Sequence, residues 1–325
     1  MNSEAPVPCP RRRHSLVLTA AALTLPLLAA SGCGTGTGPD RPQGSGRPAG
    51  SPTGTSTSGG ASGTPAPSGT TSAKPATPEP SVSTSAGAHR IRTAVYFLRG
   101  EYVSAAPRTV TAPATATSAV RELLSGPNRY EADHGRTTAI PSGTKLHSVV
   151  VRGHVATVDL SSRYDDGGGS LSMRARLAQV VFTMTRFAGV HEVRFELDGK
   201  PVKHFGGEGI VLNGPVGRAD FEDLAPAVLV ESPLIGDTVH TPVRVWGSAN
   251  TFEAEFRLKV TDTTGRTSAD VQIRATSGTG ARGTFDVAFP YKAARTGPGL
   301  LIAYLVPPKD GRPVIVDTVP LTVNR

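Results

Sequence analysis

The 325-residue chain is poor in the residues that usually carry chemistry. It has two cysteines, Cys9 and Cys33, one tryptophan and three methionines, and aromatics make up 5% of it. Two cysteines exclude a zinc ribbon, an iron–sulfur cluster and a disulfide framework. There is no repeat with a period of about twenty to fifty residues, so a solenoid is excluded. Beyond residue 33 no apolar run reaches about eighteen residues, and no transmembrane helix is expected there. Basic charge is not concentrated either. The formal charge is +8, yet residues 89–225 hold 17 basic against 14 acidic residues and residues 226–325 hold 11 against 9, without Lys/Arg blocks. Nucleic acid asks for a basic stripe and is not an expected partner. Mild attraction to an anionic wall or membrane surface is what this balance supports.

What is present begins at the N-terminus. Arg11-Arg12-Arg13 is a positive n-region and Leu16 to Ala30 an apolar h-region, together a signal-peptide pattern. It ends in Ala30-Ser31-Gly32-Cys33, which resembles a bacterial lipobox, with Ala30 where such boxes usually carry Leu. Residues 1–33 are therefore read as a lipoprotein signal. Cys33 is the expected lipidation site, anchoring the chain to the outer face of the cell membrane through two or three acyl chains, which together hold durably. The alternative is a secretory signal cut nearby, leaving Cys33 a free thiol. Residues 34–88 follow, of which 48 of 55 are Gly, Ser, Thr, Pro or Ala, with no aromatic. Such a segment buries too little apolar surface to offset its ordering entropy and is expected to be a disordered linker. Its average reach is roughly 40 Å.

Residues 89–225 are expected to form an α+β domain with a connecting tail. Thr93 to Leu98 reads as a strand, and Tyr102 to Val110 as a partner strand or a loop. Thr117-Ser118 would cap a short helix, Ala119 to Leu124, stopped by Ser125-Gly126-Pro127. Leu146 to Val151 and His154 to Leu160 alternate around Arg152-Gly153 as a hairpin. Gly167-Gly168-Gly169-Ser170 open a helix, Leu171 to Phe187, with Leu171, Leu177, Val180, Val181 and Met184 at helical spacing. Val190 to Leu197 is a further strand. The order is β-α-β-β-α-β, with two helices on one face of a small mixed sheet.

Tyr96-Phe97-Leu98-Arg99-Gly100, Ala119-Val120-Arg121-Glu122-Leu123-Leu124 with Gly126-Pro127, Thr138-Ala139-Ile140-Pro141 and Val155 to Ser161 resemble the sporulation and germination domain called GerMN. So do Gly168 to Leu171 and Gln179-Val180-Val181-Phe182-Thr183. The resemblance covers about residues 93–200. It implies an extracytoplasmic protein, commonly a lipoprotein, with a fold like the ring-building modules of secretion and sporulation complexes. By that analogy it also implies a homo-oligomer. It attributes no catalysis and no cofactor.

Residues 226–325 read as an all-β sandwich of about seven strands. Ala254, Phe256, Leu258 and Val260 alternate with charges and would face a core. Val243 to Trp246 alternates too, and Trp246 is expected in the core. Thr284 to Phe289, Leu300 to Val306 and Val314 to Val323 add strands. Val230-Glu231-Ser232-Pro233, Val245 to Ala254 and Thr276 to Phe285 resemble the immunoglobulin-like domain of bacterial spore germination, which implies carbohydrate or protein adhesion outside the cell.

The remaining candidates for chemistry are weak. Gly278-x-Gly280-x-x-Gly283 spells a dinucleotide fingerprint, but a strand follows where a helix must, so it reads as a turn. Gly167-Gly168-Gly169 could cradle an anion at a helix start, or simply form a loop and cap. Asp165 and Asp166 could pair, yet no partner carboxylates or histidines surround them. Histidines 89, 134, 147, 154, 191, 204 and 240 make no ligand spacing, although His147 and His154 could approach across the hairpin. Phe221 and Leu224 would pack while the neighbouring acids stay wet, fixing one domain against the other. No catalytic, metal or cofactor residues are expected. The chain reads as a non-enzymatic adaptor that contacts an envelope protein partner. The alternative is a peptidoglycan-binding lipoprotein using Tyr291 and Tyr304.

Overall fold

The computed structural model describes residues 89–112, 115–206, 209–307, 309 and 311–325. Cys33, the signal and the linker lie outside the described residues.

The first module opens with a hairpin, β1 (Arg90–Arg99) and β2 (Tyr102–Thr111), turning at Gly100 in the left-handed region. Helix α1 (Thr115–Leu124) follows. It starts before the expected cap, so Thr117 and Ser118 lie inside it, and Ala119, Val120 and Leu123 form its buried face. An unforeseen short helix, α2 (Arg129–Asp133), is fixed by a reciprocal capping box between Asn128 and Glu131. Strand β3 (Arg136–Thr137) pairs with β1, giving the sheet β2-β1-β3. The second hairpin, β4 (Leu146–Arg152) and β5 (Val155–Leu160), turns at Gly153 as expected.

Helix α3 (Ser170–Met184) crosses over to β6 (Glu192–Leu197), which runs parallel to β5. Leu171 does not join the core. It stands in the first turn and is 48% exposed, and Met173 packs in its place. The helix ends at Met184, short of Phe187, and its last three turns are buried nearly all round. Gln179 and Thr183 on this helix seal the free edge of β1. The Gln179 amide donates to the Tyr96 carbonyl (3.1 Å), and Thr183 accepts from the Tyr96 N–H (3.0 Å). Short strands β7 (Lys200–Pro201), β8 (His204–Phe205), β9 (Ile210–Val211) and β10 (Val216–Gly217) finish the module. The mixed sheet runs β10-β6-β5-β4, with β7 on β6. A 3₁₀ segment, Arg218–Leu224, then buries Phe221 and Leu224.

The second module holds β11 (Val228–Ser232), β12 (Thr238–Val239), β13 (Val243–Ala249), β14 (Glu255–Thr261), β15 (Thr267–Arg274), β16 (Gly283–Phe289), β17 (Gly297–Leu305) and β18 (Val314–Val323). They form two facing sheets, β11-β13-β16 and β12-β18-β17-β14-β15. Phe256, Leu258 and Val260 enter the core between them as the alternation requires.

Among the described residues no helix is long and apolar enough to cross a membrane.

Candidate functional site at the junction of the modules

Strand β11 places the junction. Its side chains alternate faces, so Val228 and Val230 enter the sandwich core while Leu229 joins the core of the first module, with Leu234 and Ile235 just beyond. Glu231 shares the face of Leu229 and is 6% exposed. Its carboxylate accepts a hydrogen bond from the Tyr96 hydroxyl of β1 and another from Arg218 Nη1 at 2.9 Å. Arg218 also donates to Thr185 Oγ1 (2.8 Å) and lies 4.7 Å over the Phe182 ring. Burial first, and then the charge of Glu231, push the Tyr96 phenol far above its ordinary pKa, so it stays a hydrogen-bond donor. Burial alone would lower Arg218, but Tyr96 and Glu231 overcome it and hold the guanidinium more firmly charged.

Other contacts extend the seam. Arg92 pairs with Asp237. Arg99 reaches Asp317 at 3.4 Å, and Arg136 donates to the Thr318 carbonyl at 3.2 Å. Burial raises the Asp317 pKa, with Arg99 opposing. In the opposite sense, Glu222 of the first module accepts from Arg282 (2.8 Å) and Asn250 (2.9 Å) of the second. Desolvation works to raise Glu222, yet these bonds hold its carboxyl below the usual range. The connecting segment therefore joins the modules as its sequence suggested, and Glu222 is bound across the junction while its side chain stays 38% exposed.

Trp246 departs from expectation. On β13 it faces away from Val243 and Val245, both core residues, and is half-buried under Arg186, whose guanidinium carbon stands 4.1 Å from the ring centroid. The alternation of Val243 to Trp246 already assigns Trp246 to the face opposite the valines, and that is the signal that could have found it. An open groove of about 630 Å³ runs beside it, lined by Trp246, Arg244, Arg274, Thr276, Asp286 and Glu231. A second hollow of about 340 Å³, lined by Arg186, His191, Arg218 and Glu231, shares the Glu231 wall. Arg244 and Arg274 are engaged by Asp286 and Glu255. The groove is thus a cleft of mixed polar and apolar lining, Phe285 and Val287 included, whose charged groups are paired.

The other candidates are dispersed. Asp165 accepts from the Gly206 N–H at 2.5 Å, while Asp166 is exposed beside Arg163. The Gly167 to Gly169 loop is filled by Arg176, which donates to the carbonyls of Tyr164, Asp166 and Gly167. Gly278 lies in the turn before β16 and Gly283 is the first residue of that strand. A Cβ on Gly278 would lie 2.4 Å from the Thr251 carbonyl oxygen, and one on Gly283 2.3 Å from the Ser277 nitrogen. Close backbone approach, with no phosphate cradle, explains these glycines.

The seven histidines among the described residues are all exposed. His147 and His154 lie at opposite ends of the hairpin. His147 meets Asp198 (2.9 Å) and His154 packs on His191, ring centroids 4.8 Å apart. Among the described residues no group of three or more His, Cys, Asp or Glu is placed to hold a metal ion. Tyr291 and Tyr304 are buried. Their hydroxyls donate to the Val239 carbonyl and to Asp270, so neither ring offers a stacking face.

Comparison with known proteins follows the same division. Residues 94–203 match the family model Germane, sporulation and spore germination, and residues 227–312 match Gmad2, the immunoglobulin-like domain of bacterial spore germination. No curated protein matches. Among solved structures, the tandem GerMN domains of the sporulation protein GerM from Bacillus subtilis align at 13% identity over 62% of this chain and 62% of that one, with a TM-score of 0.35. This chain thus spans under two thirds of that structure's length. The first GerMN domain of the same protein aligns at 16% identity over 40% of this chain and 99% of that one, TM-score 0.33. A Clostridium perfringens chain described as a lipoprotein aligns at 18% identity over 42% and 93%, TM-score 0.31.

Proposed function

We propose that this chain, which carries a Germane domain followed by the immunoglobulin-like domain of bacterial spore germination, is a tethered, non-enzymatic adaptor of the sporulation and germination apparatus. Both families belong to sporulation and germination, so the protein is germination-associated. The finer reading is that it sits outside the cell membrane, held by acylated Cys33, and recruits an envelope protein through the outer faces of its two modules.

One observation carries this reading. Three carboxylates of the junction are taken up by partners across it. Glu231 is occupied by Tyr96 and Arg218, Glu222 by Arg282 and Asn250, and Asp317 by Arg99. Groups consumed this way serve cohesion between modules rather than turnover of a substrate. A glycan-binding role for Tyr291 and Tyr304 is not favoured, because both rings are buried.

Two experiments test the proposal. Metabolic labelling with a fatty acid should mark the wild-type chain and leave Cys33→Ser unlabelled; label retained on the serine variant refutes the anchor. Crosslinking in sporulating cells should capture a protein of the envelope. Saturable retention on purified peptidoglycan, competed by free glycan and with no protein captured, would replace the adaptor reading with the glycan-binding one.

A further inference from the structure

Most long sheet edges among the described residues are protected over their middle residues; the edge of β4 is not. Strand β1 is sealed by Gln179 and Thr183, and β2 carries Pro107 in mid-strand. Strand β15 presents Asp270, Gln272 and Arg274, all paired to neighbours, and β16 carries the Arg244–Asp286 pair. Natural sheets blunt their edges in these ways, with proline, charge or a covering element. Strand β4 ends the mixed sheet and has none of them along its middle. It reads Leu-His-Ser-Val-Val-Val-Arg, with no proline, lysine or acid. Val150 is 43% exposed and Val151 46%, on opposite faces of the strand.

We propose that the β4 edge pairs antiparallel with the β4 edge of a second copy of this chain, joining two mixed sheets across a twofold axis. The pleat restricts the register. Directly opposite residues in an antiparallel pair point to the same face. Val149 and Val151 lie opposite Val158 and Ala156 of β5, both buried, so they belong to the core-facing row. A twofold axis normal to the sheet keeps that row continuous only where a residue on the axis faces its own copy.

Centring on Val150 sets Val150 against Val150, Val149 against Val151 and Ser148 against Arg152. All three valines then meet valines, and no like charges oppose each other. Centring on Val149 sets Ser148 against Val150 and carries Arg152 onto the Leu146–Ser148 stretch, where the pleat of β4 is interrupted by a bulge. Centring on Val151 sets Val150 against Arg152. The Val150 register is the one in which all three valines pair with valines, and β-branched cross-strand pairs stabilise antiparallel strands. A single seven-residue edge falls below the roughly 1,200 Å² of a standard interface, so the dimer is weak and concentration-dependent.

Cysteine pairing tests both the partner and the register. The full-length chain with Cys9→Ser and Cys33→Ser has no other cysteine. In that background Val150→Cys should form a disulfide-linked dimer under mild oxidation at least tenfold faster than Val314→Cys, a strand valine of similar exposure in the sandwich. Mixing Val149→Cys with Val151→Cys should give the mixed dimer in preference to either homodimer. Sedimentation of Val150→Lys, a change at an exposed position that leaves the core intact, should show at least tenfold weaker self-association than its parent. Equal crosslinking at residues 150 and 314 overturns the proposal. So does preferred Val149→Cys homodimer formation, or a parent that stays monomeric to about 0.5 mM.

Discussion

Replacing Glu231 by alanine is the most searching test of the junction. The carboxylate is 6% exposed and accepts from Tyr96 and from Arg218. Hydrogen bonds to a charged group contribute about 1.5–3 kcal/mol each. Removing one partner of a buried ion pair costs about 3–5 kcal/mol, because the survivor is left uncompensated. Here the survivor is Arg218, whose side chain keeps 27% of its exposure. Water can reach it, and its bond to Thr185 and its contact with the Phe182 ring remain. The expected loss is therefore about 2–3 kcal/mol, below the fully buried range. Urea unfolding read by far-UV circular dichroism measures it, and Trp246 emission gives a second probe. Trp246 is the only tryptophan, and it lies under Arg186 of the first module. In Glu231→Ala its emission should shift to the red, and the two probes should cease to coincide as the modules lose coupling. The double variant Arg218→Met/Glu231→Leu should recover more than half of the loss, since apolar replacement of a buried pair is often near neutral. A Glu231→Ala cost under about 1 kcal/mol, with Trp246 emission unmoved, would refute the assignment of the junction's cohesion to this cluster.

Other outcomes follow from single contacts. Arg186→Ala should cost about 0.5–2 kcal/mol and expose Trp246 to iodide quenching, because the guanidinium covers its ring. Gly278→Ala should cost at least about 1–3 kcal/mol in thermal or urea unfolding, since the added methyl meets the Thr251 carbonyl and the Ala254 backbone and no flexible side chain there can yield. Asn128→Ala should cost about 1 kcal/mol by loss of the capping box, measured the same way. The Thr264 hydroxyl, with the amides of Thr264, Ala294 and Arg266, holds the Asp262 pKa down to about 2. A depressed carboxylate contributes stability above its unfolded pKa, near 4, and loses it as the pH falls toward 2. Asp262→Asn should therefore flatten the acid limb of the stability profile between those values, and an unchanged limb would contradict the role given to that turn.

The sequence disclosed most of the elements for physical reasons that also explain its failures. Strict alternation in β14 and β5 follows directly from one-sided burial, and Gly153 turns the β4–β5 hairpin, so period and turn residues sufficed. The helix α1 start was misplaced because threonine and serine cap helices yet also sit inside them when burial of Ala119, Val120 and Leu123 pulls the segment into register. Leu171 fitted the helical spacing, but spacing does not say how far a core extends along a helix. At the junction the reasoning reached its limit. Arg99 and Asp317 lie 218 positions apart, and Tyr96 and Glu231 135 apart, so no local pattern marks them as partners. One local clue was present and unused. Glu231 is an acid inside an apolar strand, Val228 to Ser232, where its buried charge demands a cation or donor from elsewhere.

That clue bears on how the two modules recognise each other. In the pairs Arg92–Asp237, Arg99–Asp317 and Arg218–Glu231 the first module supplies the cation and the second the anion. Glu222–Arg282 reverses the sense from within the connecting segment. A uniform polarity opposes any docking that brings like faces together, and a reversed pair at one edge opposes rotation of one module on the other. Leu229, Leu234 and Ile235, buried with the first module's core, add apolar area without orientation. Orientation must then come from the ion pairs. Exchanging Arg218 and Glu231, as Arg218→Glu with Glu231→Arg, keeps the charges and the approximate volume but breaks the polarity and the Tyr96 hydrogen bond. If polarity orients the modules, the exchanged chain should remain folded, show separate unfolding transitions for its two modules, and become more open to proteolysis at residues 218–227. A single transition at the parent's midpoint would mean that apolar packing alone sets the arrangement.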